Sequence, residues 1–408
     1  MNDYDVVILG GGAAGIAAAI AAAKKNCKVA LIERNAYLGG KATASEVGTI
    51  CGLYKYSKTQ KSEYIVNGFV KNFAEQLQKK SNSQPRSNAA GLHFLPYDIA
   101  AFKQICAELL NDYNVDTFFE AVLYKVEAEK NTIQSVVINQ DDHKIRLNLK
   151  SIVDCSGESL VSQLLKLPLI KSDKYQAAAQ IFTLKGVAID NESQLGFILI
   201  KALKQAVDQQ KLDDYFDRVY IVQGSLKNNC VSFKVGIPLP VTCTDENLIE
   251  LKKAAAFFIE KLVAYLTENV PVFAKARIKD IAPEVGTRVG FRTIGKYILT
   301  EDDVLNCRKF DDAVANASWP IEEWDLNKRV NMRYFNLDDY YQIPARCLQS
   351  FHIKNLLIAG RNISASDGAI ASARVMGICL QTGYAAGKIA ASYQQVTSNA
   401  TSKNLQYA

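Results

Sequence analysis

Glycines 10, 12 and 15 directly follow the apolar run Val6-Val7-Ile8-Leu9 and precede the acid Glu33, and their types and spacing suit a diphosphate cradle. Gly10 lets the chain turn off a strand, and Gly12 has no Cβ to keep the backbone away from a phosphate. Gly15 lets a helix from Ala13 to about Lys24 lie close on the sheet. The N–H groups of Ala13, Ala14 and Gly15 would then face the phosphates, with the positive end of the helix behind them. Glu33 lies roughly twenty residues on and closes the run Val29-Ala30-Leu31-Ile32. It can accept both hydroxyls of an adenosine ribose, and its charge repels the extra phosphate of NADP, so the ligand is FAD or NAD. Arg34, next in sequence, is counted with this site.

A second set of residues could handle a substrate. Arg288, Arg292 and Arg374 can each grip a carboxylate with two parallel N–H groups. Tyr297, Tyr341 and Arg346 can serve as proton donor or anchor, although aromatic residues at such spacings also pack. Only three histidines occur, His93, His143 and His352, which leaves little scope for a histidine base. The nine cysteines show neither a CxxC pair nor zinc spacing, so they read as reduced core residues, with Cys51 the one weighed for a redox role.

These groups must be positioned by a recognisable set of elements. Residues 1–35 read as a strand–helix–strand unit, followed by the loop Leu38-Gly39-Gly40-Lys41-Ala42-Thr43. Apolar residues at Ile65, Phe69, Phe73 and Leu77 predict a helix over Tyr64 to Lys80, and another is expected from Tyr97 to Asn111. A β meander is expected at Val115–Val126, Thr132–Asn139 and Lys144–Leu149, then a strand Ser151–Cys155 that delivers Ser156 and Gly157. From about Tyr175, strand-like segments alternate with helices near 193–210 and 246–268. After Asp339 the chain returns to nucleotide-domain texture, with the strand Asn355–Ala359, then Gly360-Arg361, and a small-residue helix from about Ser372 to Ser392.

The expected fold class is therefore α/β. A Rossmann-like FAD-binding domain is assembled from N- and C-terminal segments around an inserted α+β substrate domain. The boundaries are placed at 1–172, 173–334 and 335–395, with a disordered tail at 396–408. A strand and Gly-containing loop returning near the C-terminus suits FAD better than NAD, since FAD is long enough to need a second cradle.

The chain has 408 residues, 49% of them apolar and 22% charged, as in ordinary globular proteins. Its net charge of +6 is scattered rather than gathered in a block, which argues for mild attraction to anions and against nucleic acid. No segment is long and apolar enough to span a membrane, and the first strand begins too early to leave room for a signal peptide. A soluble, cytoplasmic protein is expected.

With these residues in view, the chain resembles the bacterial FAD-dependent oxidoreductases of the glutathione-reductase-like superfamily. The likeness rests on Gly10 to Gly15, Glu33, Leu38 to Thr43, Val153-Asp154-Cys155-Ser156-Gly157, Gly286 to Asp303 and Tyr341 to Gly387. The resemblance implies that Gly39 and Gly40 approach the pyrophosphate and ribityl chain, while Lys41, Ala42 and Thr43 pass the isoalloxazine edge. It further implies that the Val122 backbone holds the adenine, and that Ser156, Gly157, Gly360, Arg361 and Val375 line the cofactor. Here Arg361 stands where the family often has an acid, and Asn362 stands where a cysteine is expected. The family's arginine-rich stretch is reduced to Arg288-Val289-Gly290-Phe291-Arg292.

The function expected is hydride transfer between a small organic substrate, with an anion as one option, and flavin, with an unidentified electron acceptor. No metal is expected, and a homo-oligomer is compatible with the sequence. Two alternatives stay open: a flavin-bound RNA-modifying protein, and an FAD-binding interaction subunit with reduced catalysis.

Overall fold

The computed structural model describes residues 2–172, 175–326 and 330–404, with side chains as far as 393; the expected tail at 396–408 lies outside the described side chains. At its centre, Asp3–Leu9 pairs in parallel with Val29–Ile32 on one edge and with His143–Asp154 on the other. Asp3–Leu9 and Val29–Ile32 are near-continuous apolar runs with almost every side chain buried, as a parallel sheet covered on both faces requires.

His143–Asp154 is the hinge of the architecture. Its first half pairs antiparallel with Thr132–Gln140, continuing into Ala121–Glu129. Its second half, from Ile152, pairs in parallel with Leu356–Ile358 from the far end of the sequence. At the changeover Asn355 gives Nδ2 to the carbonyls of Ile133 and Lys150, each at 2.8 Å, and accepts from Ile133 N–H at 2.9 Å. One side chain thus meets the backbone groups left where one partner strand departs and the other arrives. The N- and C-terminal segments do form one α/β sheet. Helix Ala13–Ala23 and the closing helix Met376–Asn404 cover one face, packed so closely that a Cβ on Gly383 would lie 2.0 Å from the Ala14 carbonyl oxygen.

The inserted α+β part has its own antiparallel sheet, ordered Val219–Ile221, Cys230–Gly236, Ala179–Lys185, Arg277–Ile281. Helices Glu192–Asp208 and Asp245–Asn269 belong to the same part, and its core gathers Phe182, Phe216, Phe233 and Phe273.

Several boundaries differ from expectation. The single strand expected at Val115–Val126 is two: Asp116–Phe118 pairs in parallel with Val29–Ile32, then Glu120 at φ +51° breaks the chain before Ala121–Glu129. The two strands expected at Lys144–Leu149 and Ser151–Cys155 are one. The first amphipathic helix starts at Gly68, not Tyr64, because Tyr64 and Ile65 bridge back to Tyr54 and Leu53. Nor is the last helix continuous from Ser372: helix Asp367–Ala373 ends at Arg374, and a new one begins at Met376. Among the described residues, no helix is long and apolar enough to cross a membrane.

Candidate functional site

The glycine-rich turn sits at the C-terminal end of Asp3–Leu9, where ligands gather on parallel sheets. Gly12 is the N-cap of helix Ala13–Ala23 and receives no side-chain cap. A Cβ there would meet only the Cα of Gly40, at 3.7 Å, so the space in front of it is open. Gly40, at φ +52°, begins the short helix Lys41–Ala44, also without a side-chain cap, and Gly39 bridges to Gly12. Two uncapped amide ends lie side by side beside a space that one methyl group would begin to fill. That donor set and that cradle fit a diphosphate.

Glu33 is buried at the tip of its strand, and burial raises its carboxyl above the usual range even though two amides stabilise it. Gly11 N–H donates to Oε2 at 2.7 Å and Asn35 N–H to Oε1 at 2.9 Å. Each oxygen keeps a second lone pair for a ribose hydroxyl. Glu33→Ala therefore leaves two backbone donors without their acceptor, at about 1–3 kcal/mol each. The variant should lose about tenfold or more in FAD affinity and melt at a lower temperature than the parent apoprotein. Unchanged values in FAD titration and thermal unfolding would contradict this.

The other sequence-derived candidates fall into distinct places. Thr43 is buried with its hydroxyl donating to Leu38 and Gly40 carbonyls at 2.7 and 3.2 Å, so it closes the Gly39-Gly40 turn from behind. Lys41 and Arg34 both reach Glu284 at 2.8 Å, a partner 243 and 250 residues further along that no local pattern marks. Burial alone would raise the Glu284 carboxyl, but the charges of Lys41 and Arg34 outweigh it and hold the group at about 2. Val122 lies half-exposed in Ala121–Glu129, whose first amide donates to the Glu33 carbonyl at 3.1 Å.

Ser156 donates N–H and hydroxyl to the buried Asp154, which also accepts from Val161 N–H and Asn362 Nδ2. Asn362, in place of the expected cysteine, thereby ties the C-terminal segment to the central strand. Gly157, at φ +81°, leaves room for the Arg361 guanidinium, which donates to Thr287 O at 2.9 Å and lies 3.4 Å from Glu158. Gly360 lies against Ala14, so the returning loop meets the start of helix Ala13–Ala23.

A cleft of about 1210 Å³ opens beside these elements and runs between the two parts of the chain. Lys41, Ala42, Arg361, Arg374 and Val375 line it from the N- and C-terminal segments, and Lys234, Arg288 and Trp324 from the inserted part. Of the four residues expected to act on substrate, two reach it. Arg292 does not: it is fully buried, donating to Ala365 O at 3.0 Å, Ser172 Oγ at 2.9 Å and the Asp367 carboxylate. Neither does Tyr297, whose hydroxyl donates to Asp303 at 2.8 Å and accepts from Arg308. Tyr341 bonds Ser372, Arg346 pairs with Asp312, and both ring nitrogens of buried His93 are engaged, by Ser62 and the Ser57 carbonyl. Burial pushes the Cys51 thiol well up, so it stays protonated and unreactive in the cleft wall.

Three residues the sequence reading passed over complete the wall. Trp319, Glu322 and Trp324 come from one short segment, and both indoles donate to the Glu322 carboxylate, at 3.0 and 2.7 Å. The spacing Trp-x-x-Glu-x-Trp, using the only two tryptophans of the chain, was the available signal. Lys234, on Cys230–Gly236, faces Trp324 with its ammonium 4.2 Å from the ring centroid. Burial, then the charge of Arg288, presses Lys234 down to about 8 against the pull of Glu322.

Fold and glycine-rich turn together define an α/β dinucleotide-binding protein with a cleft opening beside the short helix Lys41–Ala44. The chain belongs to the FAD dependent oxidoreductase family, whose model matches residues 5–408, and FAD is its cofactor. Among solved structures it is similar to a geranylgeranyl bacteriochlorophyll reductase-like protein from Thermoplasma acidophilum, at 13% identity over 98% of this chain and 80% of that one, TM-score 0.49. It is also similar to the flavin-dependent brominase Bmp2, at 14% identity over 96% and 79%, TM-score 0.46. A third is the anhydrotetracycline hydroxylase OxyS from Streptomyces rimosus, at 12% identity over 94% and 62%, TM-score 0.49. No curated protein matches the sequence.

Proposed function

We propose that this protein is an oxidoreductase of the dehydrogenase or oxidase type, transferring a hydride between a small anionic organic substrate and FAD. The observation that carries the reading is the placement of the Arg288 and Arg374 guanidiniums inside the cleft that Lys41, Ala42 and Val375 also line. Ala13 and Ala14 amides would hold the diphosphate, Glu33 the ribose, the Val122 backbone the adenine, and Gly39 and Gly40 the ribityl chain. FAD, when bound, supplies two-electron chemistry at its isoalloxazine ring.

The rest falls to the chain's own residues. Arg374 is held in direction by Gln176 Oε1 at 3.2 Å and the Glu322 carbonyl at 3.1 Å, and presents its remaining N–H groups to a carboxylate. Arg288, stacked 4.3 Å over Trp324 and bonded to the Ala177 carbonyl, flanks it. The indole walls keep water from this end, which strengthens each charge contact. Glu284 fixes Lys41, and with it the start of helix Lys41–Ala44.

Lys234 adds a pH dependence. Facing Arg288, Arg374, Glu322 and Cys51, its ammonium is charged below about 8 and neutral above it. Affinity for an anionic substrate should fall about tenfold or more as pH rises through that value. A substrate dissociation constant flat from about pH 7 to about 9.5 would contradict this. The function itself is tested by recording the visible spectrum of the purified protein and screening metabolites anaerobically for flavin bleaching. Bleaching by carboxylates but not by their esters supports the reading; bleaching by neutral compounds alone overturns it.

A further inference from the structure

Three cationic side chains meet in one wall of the cleft without an ion-pair partner among the described residues. Lys234 makes no hydrogen bond to a described residue, and its Nζ lies 4.2 Å from the Trp324 ring centroid and 5.4 Å from that of Tyr220. Arg288 covers the same indole and spends one N–H on the Ala177 carbonyl. Arg374 donates through NH2 to Gln176 and the Glu322 carbonyl, while its Nε is buried with no acceptor. The single acid among them, Glu322, has each carboxylate oxygen occupied by an indole N–H. Three positive charges therefore face one negative, an excess of two.

Such an arrangement is costly when empty. Cations withdrawn from water lose hydration that only an opposite charge or good acceptors restore, and here burial first, with the neighbouring guanidinium second, presses Lys234 down to about 8 and Arg288 to about 9. Arg288 remains charged at neutral pH all the same. No acid among the described residues lies within ion-pair distance of these three cations. Gly12 and Gly40, the cradle assigned to the diphosphate, are not among the residues that line this cleft.

Resting on the reading of the cleft as the substrate site of a flavoenzyme, we infer that Lys234, Arg288 and Arg374 form a subsite for an organic dianion, a dicarboxylate on a short carbon skeleton. The two planar guanidiniums match two carboxylates, the ammonium serves as a compact third point of charge, and the apolar lining from Trp319, Val375 and Met376 suits a carbon skeleton better than a bare inorganic ion. Glu322, held by both indoles, keeps the tryptophans in place and offsets one of the three charges when the subsite is empty.

The experiment uses the purified yellow protein at fixed ionic strength and neutral pH. Binding of succinate, glutarate, monomethyl succinate and a phosphate monoester is measured by calorimetry and by thermal shift, with FAD content read from the visible absorbance of each sample. At least one dicarboxylate should bind ten or more times tighter than the half-ester and the phosphate monoester. In Lys234→Met that preference should collapse to threefold or less at unchanged FAD content, and Lys234→Arg should restore it. Equal binding of diacid and half-ester, tighter binding of the phosphate monoester, or full preference in Lys234→Met would each overturn the dicarboxylate subsite. A colourless preparation that cannot be reconstituted would instead strike the flavoenzyme reading, so the two failures are told apart in one sample.

Discussion

Gly12→Val should give a folded, colourless protein whose FAD affinity has fallen by three orders of magnitude or more, about 4 kcal/mol. The reason is geometric. The missing Cβ at Gly12 points into space bounded only by the Gly40 Cα at 3.7 Å, so the apoprotein has room for an isopropyl group. A diphosphate drawn onto the amide end of helix Ala13–Ala23 would occupy the same volume, and the two cannot coexist. Gly15→Val is the informative contrast: its Cβ would sit 1.8 Å from the Gly10 carbonyl oxygen, inside the packed turn. That variant should fail to accumulate as folded protein. Circular dichroism and visible absorbance on both separate the outcomes, and a yellow Gly12→Val protein with normal FAD content would remove the diphosphate from this loop.

That contrast shows why the nucleotide half was readable from sequence and the substrate half was not. The functions of Gly10, Gly12 and Gly15 are local: they depend on neighbours within a few residues and on one turn whose geometry is much the same wherever it occurs. Glu33 belongs to the same local unit, being the end of the next strand. Lys234 and Trp324 carry no such mark. They meet only because a strand of the inserted sheet and a segment ninety residues later close on one another, and no periodicity records that. Nor could spacing separate Arg288 from Arg292. Four residues apart, they flank Gly290, whose missing Cβ leaves space for the Glu158 carboxylate. One guanidinium ends in the cleft and the other in the interior. The split strand at Asp116–Phe118 was missed for a related reason: its parallel partner, Val29–Ile32, lies far back in the sequence.

Arg292 provides the second large effect, and its direction is the opposite of a substrate anchor's. The side chain has no exposure to solvent, and it joins the loop at Ala365, the start of helix Asp367–Ala373 and the Ser172 hydroxyl. Removing it as Arg292→Ala leaves the Ala365 carbonyl and Ser172 without their donor and opens a hole of nearly a whole arginine. A cavity of that size together with unpaired buried acceptors costs about 3–5 kcal/mol, a large share of the stability of a typical domain. The expected result is a melting temperature lower by several degrees, a poor yield of soluble protein, and near-normal turnover per bound flavin in whatever folds. Arg374→Ala should show the reverse pattern, an ordinary melting curve and flavin spectrum with turnover lost, because its guanidinium faces the cleft and holds only Gln176 and the Glu322 carbonyl. Measuring both variants for unfolding temperature and for kcat/KM per FAD decides the assignment. If Arg292→Ala were stable but inactive, the buried arginine would have to act on substrate through helix Asp367–Ala373, and the wall defined by Arg288, Arg374 and Lys234 would not be the complete anchor.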